Sequence, residues 1–150
     1  MDLIKITPDK ERARNILSMI SLIEERIKLQ NAEKMTALIL SDYYEITKEL
    51  ITAILLVDGY KTLSHKDLID YIKENYKEFS QHEISVLGDL RVLRNRIAYE
   101  GFQIEKSYLN RNEDLFKSII LKLKKTLEKR IWLDANSRWL IFGKDFFRRC

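Results

Sequence analysis

Apolar residues recur along this chain at the spacing of one helix face. Ala13, Ile16, Leu17, Ile20, Ile23 and Ile27 predict a first helix that runs to about Gln30. Thr7-Pro8-Asp9 opens it, with Thr7 as N-cap and Pro8 at the first helical position. After a joint at Asn31-Ala32, the residues Met35, Ile39, Tyr43, Ile46, Leu50, Ala53, Ile54 and Val57 predict a second long helix. Gly59 is placed to terminate it. Each helix is about 25 residues, roughly 35–40 Å at 1.5 Å per residue, so antiparallel packing covers both stripes.

Ser64-His65-Lys66-Asp67 starts a shorter helix whose inward positions are Leu68, Ile69 and Ile72, and which ends between Asn75 and Phe79. Ser80-Gln81-His82-Glu83 is a capping box for the next helix, where Val86, Leu90, Leu93 and Ile97 form the stripe. Residues 101–109 read as a loop. Asn110-Arg111-Asn112-Glu113 then caps a last long helix, with Phe116, Ile119, Ile120, Leu123 and Leu127 inward and Lys122, Lys124, Lys125 and Lys129 outward. No segment keeps the alternation of a strand, and there is no internal repeat. The expected fold is all-α, an antiparallel four-helix bundle with one short extra helix between the second and third long ones.

Asp134-Ala135-Asn136-Ser137 interrupts the pattern. Residues 1–130 are therefore expected to form the bundle. Residues 131–150 form a basic aromatic tail whose Trp139, Leu140, Ile141, Phe142, Phe146 and Phe147 pack on the bundle or on a sister subunit. Arg138, Arg148 and Arg149 beside them leave base stacking as a further reading.

Composition narrows the function classes. With 150 residues, four Gly and one Pro, the chain suits a single helical domain. Its one cysteine, Cys150, permits no intrachain disulfide. His65 and His82 are not at metal-ligand spacing, so neither metal nor cofactor is expected. The longest aliphatic run, residues 53–57, cannot span a bilayer, and Met1-Asp2-Leu3-Ile4-Lys5 lacks a signal-peptide core. A cytoplasmic protein without membrane partners is expected. The net charge of +4 is uneven: residues 122–150 carry +6 and the remainder −2. That asymmetry suits an anionic partner or, equally, a solvated lysine face.

The candidate chemistry lies in residues 87–102. Arg91 and Arg94, three apart, project together beside the apolar stripe, while Arg96 points elsewhere. Two guanidiniums on one strip form a fork for phosphate or carboxylate. The bland alternative is that both snorkel or pair with acids on a neighbouring helix, such as Glu45 or Glu49. His65, in a first helical turn, reads as structural or solvent-facing. His82 lies three turns from Arg94, too far to share a site within one subunit.

Arg94-Asn95-Arg96-Ile97-Ala98-Tyr99, followed by Glu100-Gly101, resembles the signature helix of the HEPN superfamily, in which an Arg and a polar residue precede a His. The resemblance extends to Tyr43-Tyr44-Glu45, Leu56-Val57-Asp58-Gly59-Tyr60, Ser64-His65 and Leu68, and leaves out residues 131–150. Here Tyr99 stands where the family has its His. The resemblance implies a helical bundle that dimerises with signature helices facing across one cleft. It also implies RNA or nucleotide as partner, and in many members metal-independent endoribonuclease activity within a toxin-antitoxin pair whose antitoxin is a nucleotidyltransferase.

On that basis Arg91, Arg94 and Asn95 are the expected phosphate- or RNA-binding residues, and Arg94 with Tyr99 the expected catalytic pair. A phenol that ionises near pH 10 is a poor base at neutrality, so the leading expectation is an RNA- or nucleotide-binding module with a degenerate ribonuclease site. The alternatives are an active ribonuclease toxin that uses Tyr99, and a non-catalytic helical homodimer acting as an interaction subunit.

Overall fold

Three helices of this chain begin where a side chain accepts from an otherwise unpaired amide. The computed structural model describes residues 1–142, with the side chains of residues 1–132. Helix α1 spans Lys10–Leu29, α2 Thr36–Asp58, α3 His65–Asn75, α4 Gln81–Glu100 and α5 Lys106–Phe142. Ser64 accepts from the Asp67 amide at the start of α3, and Ser80 with Glu83 completes a reciprocal capping box on α4. Gly59 and Gly101 end α2 and α4 in the left-handed conformation. The described residues are thus all-α apart from a two-residue ladder, β1 (Ile4–Lys5) antiparallel to β2 (Tyr60–Lys61). Pieces that short carry no alternation, and for that reason periodicity did not foretell them.

The N-cap of α1 is Asp9, whose carboxylate accepts from the Arg12 amide, and not Thr7. Tertiary bonds displace the start. Ile6 N–H donates to Gly59 O at 2.9 Å and Asp9 N–H to Leu56 O at 3.0 Å, which keeps residues 6–9 outside the helix and against the end of α2. Helix α5 starts at Lys106, four residues before the expected cap at Asn110. Leu109 is buried two turns upstream of Phe116 on the same stripe, and Asn112 lies inside the helix, its amide donating to Tyr108 O. Helix α5 also continues through Asp134-Ala135-Asn136-Ser137 to Phe142. None of those four is Gly or Pro, so nothing there removes a backbone hydrogen bond. The expected packing of the aromatic tail involves side chains outside the described residues.

Helix α2 is buried almost all round, since Leu40, Tyr44, Thr47, Ile51 and Leu55 are covered as well as Ile39, Tyr43, Ile46, Leu50 and Ile54. A helix apolar on both faces belongs at the centre. It packs against α1 and α5, and also against α3 and α4. Arg26 to Asp42 at one end and Asp9 to Leu56 at the other make α1 antiparallel to α2. Tyr43 to Glu113 and Arg130 to Asp58 make α5 parallel to α2. Arg94 lies over the Tyr44 ring, while Leu87, lower on α4, shares a crevice with Ile51 of α2, so α4 runs against α2. Among the described residues no helix is long and apolar enough to cross a membrane.

Two predictions arise from this frame. At Gly59, with φ +91°, an added Cβ would meet Ile6 O at 3.1 Å; at Gly101, with φ +63°, it would meet nothing within 4 Å. Both substitutions to Ala strain the backbone by about 1–2 kcal/mol. Gly59→Ala therefore costs more than Gly101→Ala in urea unfolding, and equal losses would show that the contact with Ile6 gives way freely.

The second concerns alkali. Burial first, and then the hydrogen bond to Asp58, push the Tyr71 and Tyr76 phenols above their ordinary value; burial and Glu113 do the same to Tyr43. The native state holds these protons where the unfolded chain releases them, near pH 10. Their contribution is therefore complete below about pH 10 and falls as pH rises beyond it. Melting temperatures by circular dichroism between about pH 8 and 11 should decline at the alkaline end, less so in Tyr71→Phe.

Candidate functional site

Leu87 and Leu90 are the buried residues of α4, with Val86, Leu93 and Ile97 packed at the margin of the core. That anchoring turns Arg91 and Arg94 toward α2 and α3, where both are half-buried. The Arg94 guanidinium lies 5.9 Å from the centre of the Tyr44 ring. Tyr44 is buried, and its hydroxyl is 3.0 Å from Nδ1 of His65, an exposed residue in the first turn of α3. The Tyr44 and His65 rings are tilted, with centroids 6.2 Å apart. Three helices therefore contribute to one cluster: Tyr44 and Lys48 from α2, His65 from α3, and Arg91 and Arg94 from α4.

The acids that could have neutralised the Arg pair are held elsewhere. Lys48 binds Glu45 at 2.7 Å and Glu49 at 3.4 Å. Among the described residues, Arg91 and Arg94 have no carboxylate within salt-bridge reach. The cluster is consequently cationic, and the titratable groups record it. Burial pushes the Tyr44 phenol up, against the opposing pull of Arg94 and Arg91, so it stays protonated. His65 is held below the ordinary imidazole value by burial, then by Lys48 and Arg94, with Glu45 opposing, so its ring is neutral at pH 7.

Of the residues expected from sequence, Arg91 and Arg94 share the strip as their spacing required. Asn95 is half-buried beside them and makes no hydrogen bond within the described residues. Arg96 is directed away, bonded to Glu100 at 3.1 Å and stacked 3.7 Å over the Phe102 ring. Tyr99 is 81% exposed. Five positions on from Arg94 it is turned roughly 140° around a helix of 3.6 residues per turn, so the two do not share a face, and Tyr99 does not pack at the helix end. His82 is exposed in the first turn of α4, distant from the Arg pair as expected.

His65, Tyr44 and Lys48 were not among the expected site residues. The only local signal was a tyrosine offset from the Tyr43 stripe of α2 and a histidine just inside a capped helix. The approach of α3 to α2 is what joins them.

A larger cavity lies elsewhere. About 500 Å³ opens between α1, α2 and α5, where Tyr43 donates to Glu113 and Lys124 to Glu24, so both acids on its wall are engaged. The described residues include no group of three His, Cys, Asp or Glu arranged to hold a metal. Comparison with family models, curated proteins and solved structures finds no match for this chain.

Proposed function

We propose that the chain is a HEPN-like module that binds RNA by its phosphates, holding them on Arg91 and Arg94 with Asn95 alongside. The observation that carries this reading is the pair of adjacent, unneutralised guanidiniums on one half-buried strip of α4. A bare cationic pair is costly to keep near a core without an anion, and the planar fork of arginine matches phosphate oxygens. The same observation weighs against the interaction-subunit reading, which needed Glu45 or Glu49 on the Arg pair; Lys48 occupies both. The exposure of Tyr99 and its turn away from Arg94 weigh against cleavage by that residue.

Fluorescence anisotropy with labelled single-stranded RNA tests the reading. Affinity should fall steeply between about 50 and 200 mM salt as counterions reclaim the phosphates. ATP as competitor separates a nucleotide site from an RNA surface: displacement at micromolar ATP would favour the nucleotide. No binding even at the lowest salt would refute both.

A further inference from the structure

We infer that His65, held by Tyr44 beside Arg94, is the proton acceptor of a ribonuclease centre complete within one subunit, in place of Tyr99. This rests on the reading that Arg91 and Arg94 hold the RNA phosphate.

The Tyr44 ring is flanked by Arg94 at 5.9 Å and by the His65 ring at 6.2 Å. Cation and base therefore border the same ring, an arrangement in which a ribose at His65 can place its own phosphate toward Arg94. The Tyr44 hydroxyl engages Nδ1 of His65 at 3.0 Å. Nε2 makes no hydrogen bond within the described residues, and the side chain is exposed. A narrow crevice lined by Ile51, Leu68, Ile69 and Leu87 backs the ring with apolar surface. In the tautomer with its proton on Nδ1, His65 donates to the phenol oxygen and presents the Nε2 lone pair outward. Protonation at Nε2 then leaves the bond to Tyr44 intact. A fixed orientation, a free basic nitrogen and neutrality at pH 7 are what a general base requires.

The step balances without further reagents. Nε2 takes the proton of a ribose 2′-hydroxyl. The 2′-oxygen forms a bond to the adjacent phosphorus, and the bond from phosphorus to the 5′-oxygen of the next nucleotide breaks. The leaving oxygen takes a proton from water, and His65 returns its own to solvent. The products are a 2′,3′-cyclic phosphate and a 5′-hydroxyl end. Arg94 and Arg91 face the charge that accumulates on the phosphoryl oxygens. Tyr44 is a positioning residue that fixes the tautomer.

The test uses the full chain and a random-sequence single-stranded RNA pool, scoring cyclic-phosphate ends and, in parallel, binding. Wild type should cut the pool, and should bind but not cut its 2′-deoxy counterpart. His65→Ala should lose about 100-fold or more in cleavage rate while Kd stays within about threefold. Far-UV circular dichroism verifies that this exposed substitution leaves the helices intact. Tyr99→Phe should cut like wild type.

The wild-type rate should rise with pH to a plateau at lower pH than an ordinary imidazole would give, because burial first, then Lys48 of α2 and Arg94 and Arg91 of α4, disfavour the imidazolium more than Glu45 of α2 supports it. Tyr44→Phe should lower kcat about tenfold and move that limb to still lower pH, a change that a purely structural phenol would not produce. RNA bound but never cut overturns the inference and leaves the phosphate reading standing; RNA not bound at all removes both. Cleavage that survives His65→Ala, or that vanishes in Tyr99→Phe, also overturns it.

Discussion

Arg94→Ala is expected to weaken RNA binding by about 1–3 kcal/mol, the worth of one charge-assisted hydrogen-bond set, or roughly 5- to 150-fold in Kd. The effect should be nearly uniform across RNA sequences, because a phosphate contact carries no base information. The dependence of log K on log salt should flatten by about one unit for each phosphate that the variant no longer holds. Arg94→Lys should recover part of the affinity, since an ammonium keeps the charge but not the planar fork. Stability should change little. Among the described residues Arg94 makes no ion pair or hydrogen bond, and its cation–π contact with the Tyr44 ring is worth about 0.5–2 kcal/mol. Should Arg94→Ala lower the melting temperature markedly and leave RNA binding unchanged, Arg94 would be a packing residue and the proposed function would fail.

Asp58→Ala is expected to destabilise the protein by about 3–5 kcal/mol, the range for removing one partner of a buried, paired charge. Asp58 stands at the last turn of α2, its side chain 10% exposed. Tyr71 and Tyr76, from α3 and the turn after it, donate to one carboxylate oxygen at 2.7 and 2.5 Å. Arg130 of α5 holds the other at 2.7 Å. A single carboxylate thus ties α2, α3 and α5 at one end of the molecule. Its removal strands two phenols and takes from Arg130 the bond that ties α5 to α2. Asp58→Asn should cost less, because the amide oxygen still accepts one bond. Urea unfolding gives both numbers, and a change below about 1 kcal/mol for Asp58→Ala would mean that water replaces the carboxylate readily. The clamp lies at the opposite end of α2 from Tyr44, so the RNA affinity of the folded variant should be unchanged.

The sequence by itself determined the helices and their punctuation. Caps are local chemistry: Ser64 with Asp67, Ser80 with Glu83, and Gly59 and Gly101 act within a few residues of one another. Periodicity is equally local, so the order of four long helices and one short one was readable, as was the sharing of a strip by Arg91 and Arg94. What periodicity states is which residues lie on one face; what stands opposite that face is a property of packing. Thus Asp9 rather than Thr7 caps α1 because Leu56, far along the chain, takes the Asp9 amide. Leu109 draws α5 back to Lys106 because the core extends that far. The pairing of Lys48 with Glu45, three residues back, and with the adjacent Glu49 is local to α2; what tertiary structure decided is that among the described residues no acid of another helix meets the Arg pair. It also brought His65 to Tyr44, 21 residues away in sequence, while Tyr99, the residue that the signature pointed to, was left facing water. Pairing within one helix follows from spacing, but contact between helices depends on distance through space, which no run of neighbouring residues encodes.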